Sequence, residues 1–218
     1  MPHDRLTPLQ PVYLGGYWLS FWTLTLGWGA RAWHRERIPA HGPMLVVGNH
    51  LSHFDPPLVG VGVGKPCAYL ARHTLFTVPV LRHFLPPVGA FPIDRDAGKD
   101  GLVAVLKLLA DGHRVLMFPE GTRSENGEMQ PFKPGVALVA KKANCPVVPC
   151  GVVGTYGAWR KGAVPRPAWL GGSCVGVNFG HPVPAGYYAS MKREAVVADM
   201  EARVREAMAE GEGLNQRR

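Results

Sequence analysis

The sequence predicts an α/β fold: a mixed, largely parallel sheet flanked by helices, preceded by an apolar helical segment. Three observations carry this. Short apolar runs ("MLVVGN", "KPCAYLA", "RVLMF", "PVVPCGVVG" and "CVGVNFG") alternate with stretches of helical periodicity, the pattern that builds βαβ units. At 218 residues the chain is long enough for one such domain with an ample core. The first thirty-odd residues stand apart, with no charged side chain from Leu6 to Ala30.

That N-terminal segment also holds or adjoins four of the six tryptophans, Trp18, Trp22, Trp28 and Trp33. Pro8 and Pro11 trim its start, and a helix from Val12 to Ala30 would run about 28 Å at about 1.5 Å per residue. This is just short of the roughly 30 Å hydrocarbon core of a bilayer. Gly15, Gly16, Gly27 and Gly29 weaken a straight span, whereas Trp and Tyr suit the lipid–water interface. A helix or hairpin in one leaflet, a true span, a cleaved signal peptide ending near Ala30-Arg31-Ala32 and a buried core helix are the competing readings. The expectation is a membrane-associated segment over residues 1–37 and a catalytic domain over 38–218. If the segment spans, Arg31, Arg35 and Arg37 place that domain on the cytoplasmic side.

Further along, Met44–Asn49 reads as a buried strand, with Asp55 as helix N-cap before Pro56-Pro57. "KPCAYLA" is a second strand and "VLRHFL" a short helix. "GLVAVLKLLADGH" is an amphipathic helix closing near Gly112, and Arg114–Phe118 is another buried strand. A helix over "GVALVAKKAN" precedes the strand "PVVPCGVVG". Residues 156–172 read as a loop rich in Trp, Pro, Arg and Lys, and 190–210 as a helix with Val197, Met200, Val204 and Met208 on one stripe.

Lys and Arg number 24 against 16 Asp and Glu, a formal charge of +8 that favours an anionic partner. The basic residues are dispersed and match no nucleic-acid module, which argues against nucleic acid. The four cysteines, Cys67, Cys145, Cys150 and Cys174, form no CxxC pair and read as free thiols of a reducing compartment.

Candidate chemistry concentrates in "VVGNHLSHFDPPLVG", Val46–Gly60. The loop Asn49–Phe54 follows a strand, where open α/β sheets place their sites. Residues five apart on a helix point about 140° apart, but across a tight loop His50 can fold back on Asp55. A histidine oriented by a carboxylate is a general base. Two histidines and an aspartate also suit a metal, though no second ligand cluster appears. An ordinary polar loop is the third reading. "FPEGTRS", Phe118–Ser124, offers backbone amides, a hydroxyl and a guanidinium, a set suited to a phosphate or oxyanion. Arg95 in "GAFPIDR" and Lys133 in "PFKPG" add cations. "GVGVGKP" lacks the spacing of a P-loop, and no G-x-S-x-G elbow exists.

"NHLSHFD" resembles the N-H-x-S-x-x-D signature of the lysophospholipid (1-acylglycerol-3-phosphate) acyltransferases. "GAFPIDR", "FPEGTRS" and "CPVVPCGV" resemble that family's later blocks in the same order, and "ARHTLFTVP" its segment between the first two. The resemblance covers roughly Leu45 to Val153. It implies a glycerolphosphate acyltransferase-like fold, with His50 as base and Asp55 orienting its imidazole. Arg95 and Arg123 would hold the acceptor phosphate, with Glu120, Gly121 and Thr122 shaping the pocket. The implied reaction moves a fatty acyl group from acyl-CoA or acyl-carrier protein to 1-acylglycerol-3-phosphate, giving phosphatidic acid, with no cofactor and no metal. Another lysolipid or an amino-acid lipid is the alternative acceptor. The implied setting is the cytoplasmic face of the cell membrane. His53 falls at a variable position of the signature. Cys150 stands where valine is usual, and Arg72 where lysine is common.

Overall fold

The computed structural model of the chain describes residues 10–86, 89–93 and 98–217. Helix α1 (Gln10–Trp28) leads into a short strand β1 (Arg31–Trp33). The next elements are β2 (Met44–Gly48), α2 (Asp55–Val63), β3 (Cys67–Arg72), two short helices α3 (His73–Phe76) and α4 (Pro79–Phe84), and β4 (Ala90–Ile93). Then come α5 (Gly98–Ala110), β5 (Arg114–Met117), α6 (Gly135–Lys142), β6 (Val147–Val153), α7 (Thr155–Trp159), β7 (Gly176–Phe179) and α8 (Arg193–Gln216). The strands form one seven-stranded sheet in the order β1-β7-β6-β2-β5-β3-β4. All pairings are parallel except β6 with β7, so the sheet is mixed and largely parallel, as its sequence pattern predicts.

All five residues of β2 are buried, which is why the strand reads as an unbroken apolar run. Its side chains alternate between two cores, as a pleat requires. Leu45 and Val47 join Val105, Leu109, Val136, Val139, Met200 and Val204 on the face covered by α5, α6 and α8. Met44 and Val46 join Leu24, Trp28, Phe54, Leu58 and Phe179 on the face covered by α1 and α2. The tail helix turns Val196, Met200, Val204, Ala207 and Gly211 inward, with Val197 and Met208 flanking that stripe.

The expected N-terminal helix is present, and both of its sides are apolar. Leu24 and Trp28 are buried, and the Trp28 ring packs edge-on against Phe54 at 4.5 Å. The opposite side exposes Val12, Leu14, Trp18, Leu19, Trp22 and Leu26. Among the described residues, no helix is long and apolar enough to cross a membrane, so α1 does not meet the requirement of the spanning reading. Nor is the segment before residue 38 separate from the sheet: Arg31–Trp33 pairs with β7 as an edge strand, too short to announce itself by pattern. Two boundaries also differ from expectation. Helix α2 begins at Asp55, with Phe54 as its N-cap, so the carboxylate sits one residue inside the helix. Within 156–172 lie part of α7 and a single 3-10 turn, Ala168–Leu170.

Helix α8 approaches β6 so closely that Gly151 tolerates no side chain. A Cβ there would stand 2.2 Å from the Met208 nitrogen and 2.4 Å from the Ala207 carbonyl carbon. Backbone cannot yield as a side-chain tip can, so Gly151→Ala should cost about 3 kcal/mol, the upper end of the overpacking range. Urea denaturation should show a lower midpoint with an unchanged slope.

Candidate active site

The loop after β2 is held at both ends by side chains acting as backbone. Asn49, fully buried, donates its amide to the Val152 carbonyl at 2.9 Å and accepts the Val152 N–H at 2.7 Å. It thus carries the β2–β6 pairing one step beyond Gly48, where the strand ends. At the other end Asp55 is wholly buried, and its Oδ2 accepts the N–H groups of Leu51 at 2.6 Å and Ser52 at 2.7 Å. That oxygen also lies 2.8 Å from His50 Nδ1. A carboxylate only accepts, so Nδ1 carries the proton and Nε2 presents its lone pair. The negative charge also lies at the N-terminus of α2, where the helix dipole favours it.

Phe118 stacks on the imidazole, with ring centroids 4.3 Å apart and planes 13° apart. The His50 side chain is 19 % exposed, whereas that of Asp55 is wholly buried. Ser52 is the hydroxyl nearest in sequence, but it is not free to act as a nucleophile: Oγ donates to the Trp159 carbonyl at 2.6 Å and accepts the Phe54 N–H at 3.1 Å.

The second stretch meets the first through Glu120. This residue is buried, and its two oxygens accept the N–H of His50 at 2.5 Å and of Gln130 at 2.8 Å. The Ser124 N–H in turn donates to the His50 carbonyl at 2.8 Å. Both backbone groups of His50 are therefore held by the 118–130 segment. Burial raises the Glu120 pKa against the opposing pull of the two amide bonds. With its oxygens so engaged, Glu120 fixes the His50 backbone from behind.

Gly121, at φ +70°, makes the turn that follows, and a Cβ there would lie 2.7 Å from Lys133 Nζ. Thr122 is exposed. Arg123 donates to His53 Nε2, and the His53 ring tilts against Trp159 at 4.6 Å. Burial, then the charge of Arg123, lowers the His53 pKa, so its ring stays a neutral acceptor for the guanidinium. Arg95 lies outside the described residues. Of the expected site residues, the structure thus brings His50 and Asp55 into contact and sets Glu120 behind them, with Gly121, Thr122 and Arg123 in the adjoining turn. Phe118 and Trp159, which form the walls, are ordinary apolar residues in the sequence, and only strand order shows that they converge on this loop. Among the described residues, no three His, Cys, Asp or Glu side chains come together as a metal site would need.

A mostly parallel sheet with a histidine–carboxylate pair on the loop beyond its central strand defines a class of α/β proteins equipped for acid–base chemistry. The chain belongs to the acyltransferase family, whose model matches residues 31–153. It is 32 % identical over 133 residues to the 1-acyl-sn-glycerol-3-phosphate acyltransferase of Bacillus subtilis, a match spanning 60 % of this chain and 66 % of that protein. A chloroplastic enzyme of the same name from Brassica napus is 32 % identical over 124 residues, 55 % of this chain and 36 % of its own length. The chain therefore spans less than two thirds of the length of these relatives. The crystal structure of the 1-acyl-sn-glycerophosphate acyltransferase from Thermotoga maritima superimposes with a TM-score of 0.76 at 25 % identity, covering 94 % of this chain and 79 % of that one.

The raised pKa of Glu120 has a consequence for stability. The folded carboxyl holds its proton more tightly than the unfolded one, so ionisation works against folding. Its contribution is whole below about pH 4.3, the ordinary glutamate value, and declines as pH rises through the folded value. Glu120→Gln should lower stability by about 1 kcal/mol through the loss of one amide bond and remove that decline. Urea titrations at a series of pH values should give a flatter profile for the variant.

Proposed function

We propose that this chain transfers a fatty acyl group from acyl-CoA or acyl-carrier protein to the free hydroxyl of 1-acylglycerol-3-phosphate, forming phosphatidic acid. The observation that carries this reading is the His50 Nδ1–Asp55 Oδ2 contact at 2.8 Å, which turns a partly open Nε2 toward substrate. In this mechanism the acceptor oxygen attacks the thioester carbonyl carbon as its proton passes to His50 Nε2. Asp55 stabilises the imidazolium that results. The tetrahedral intermediate collapses, the C–S bond breaks, and the leaving thiolate takes the proton from His50. No acyl-enzyme forms. Arg123 and Arg95 hold the acceptor phosphate, with Gly121 and Thr122 shaping its pocket, and Lys133, reaching over Gly121, adds a further cation. A guanidinium suits this role because its fork meets phosphate oxygens in pairs.

The reaction takes place at a membrane surface in this reading. The outer side of α1 exposes Trp18, Trp22 and Leu26, and Trp169 and Leu170 expose a second apolar knob. The two belong together: Trp28 Nε1 donates to the Arg166 carbonyl at 2.7 Å, tying the loop to the end of the helix. A helix of this kind lies in the interface with its apolar side among the acyl chains. The four cysteines are free, three of them buried, which fits a reducing compartment and the cytoplasmic face.

Purified protein in detergent, supplied with labelled acyl-CoA or acyl-carrier protein and lysophosphatidate, should yield labelled phosphatidic acid. His50→Ala should lose about 10²–10⁴ in rate, the worth of a positioned base, and Arg123→Ala should chiefly raise KM for lysophosphatidate. Label appearing only with other lysolipids would reassign the acceptor, and equal turnover by His50→Ala would overturn the mechanism. A second prediction concerns the membrane. Replacing Trp18, Trp22 and Leu26 together with serine should weaken vesicle partitioning at least tenfold, since burial of each large apolar side chain is worth about 1.5–3 kcal/mol. Thermal stability should be retained, because these side chains make no core contact.

A further inference from the structure

Beside the His50 loop lies an open cleft of about 310 Å³ lined by Ser124, Glu125, Tyr156, Arg160, Lys161 and Gly162. This volume lies at the lower end of small-molecule sites. Two of its walls are continuous with the site already described. Ser124 follows Arg123 in the chain, and its N–H holds the His50 carbonyl at 2.8 Å. Arg160 follows Trp159, whose ring rests on His53 and whose carbonyl accepts Ser52 Oγ. We propose that this cleft takes the phosphate at the far end of the acyl donor's pantetheine arm, with Arg160 and Lys161 as its recognition groups.

This inference rests on the acyl-transfer reading and extends it to the second substrate. Two substrates must converge on His50 Nε2, and the Arg123 turn serves the acceptor. The donor's thioester must lie at the base while its pantetheine arm carries the phosphate some distance away. The cleft carries Arg160 and Lys161 and adjoins both loops of the site without being part of either.

The chemistry of the lining fits an anion. Arg160 and Lys161 are exposed, so their guanidinium and ammonium are within reach of ligand. The anion now facing Lys161 is Glu125 at 2.8 Å, with side-chain exposures of 46 % and 80 % for Lys161 and Glu125. So exposed a pair is weak, and charge-assisted bonds to a phosphate replace it readily. The floor is preformed. Tyr156 donates its hydroxyl to the Glu125 carbonyl at 2.7 Å, and its ring lies where Gly127, at φ +89°, leaves room. These two contacts set the shape of the 124–127 turn before any ligand arrives. An anionic lipid surface is a competing use for the two cations, and a loss confined to vesicle binding is the outcome that would reveal it.

The test uses Arg160→Ser/Lys161→Ser in the full chain. Both residues are exposed, so folding should be unaffected, which circular dichroism would verify. Binding of unacylated CoA, followed by calorimetry, should weaken at least tenfold. In turnover, kcat/KM for acyl-CoA should fall at least tenfold while KM for lysophosphatidate stays as in the wild type. The penalty should vanish with an S-acyl pantetheine that lacks the phosphate. A matching loss with acyl-carrier protein assigns the phosphate shared by both donors, and a loss with acyl-CoA alone assigns its nucleotide phosphates. Equal CoA affinity in wild type and variant overturns the proposal, as does a loss confined to binding of anionic vesicles. If the wild type fails to acylate lysophosphatidate at all, the CoA-binding arm still decides the role of the cleft, separately from the identity of the acceptor.

Discussion

The buried carboxylate of Asp55 is the point on which the loop depends. A carboxylate removed from water is costly unless donors gather on it, and Oδ1 of Asp55 is buried with no hydrogen-bond partner among the described residues. Here one oxygen gathers two backbone amides and the imidazole of His50, at the N-terminal end of a helix. The bonds act in both directions. They make the buried charge tolerable, and they leave the loop a single way to fold, with one nitrogen of His50 committed and the other free.

Strand order explains why so many distant residues meet there. The central strand β2 lies between β6 and β5, so the segments leaving all three emerge side by side at the carboxyl edge. Asn49 reaches across to β6, and Glu120 reaches back from the segment after β5. A peptide group imitated by an asparagine side chain and a carboxylate shared by two amides tie the loop to both neighbours. Helix α1 joins the arrangement from the other side: Trp28 leans on Phe54, which in turn touches Trp159 at 5.0 Å. The helix that exposes Trp18 and Trp22 and the loop that carries His50 thus share one aromatic cluster.

Much of this was legible in the chain. Buried strands announced themselves as unbroken apolar runs because a parallel strand is covered on both faces, and the five-residue spacing across a turn allowed the His50–Asp55 pair that the resemblance to the acyltransferase signature implies. Residues whose partners lie far away in sequence were not legible. The Glu120–His50 bond joins positions 70 apart and the Asn49–Val152 bonds join positions 103 apart, so nothing local marks either side chain as structural. Glu120 reads from sequence as a member of a phosphate pocket, and only its burial shows that its oxygens are occupied. The edge strand β1 escaped notice because three residues carry no period, and α1 was ambiguous because its inward and outward sides are equally apolar.

The sheet also ends in a way that governs how copies of this chain meet each other. One outer strand, β1, is three residues long and begins with Arg31, and the other, β4, contains Pro92, which has no N–H to offer a neighbour. Short, charged or proline-bearing edges resist the addition of another strand. Edge-to-edge polymerisation into fibrils is thereby discouraged at both margins of the molecule. The apolar surface that remains includes the outward side of α1 and the Trp169–Leu170 knob. Contact between copies is therefore left to exposed apolar side chains and not to strand edges.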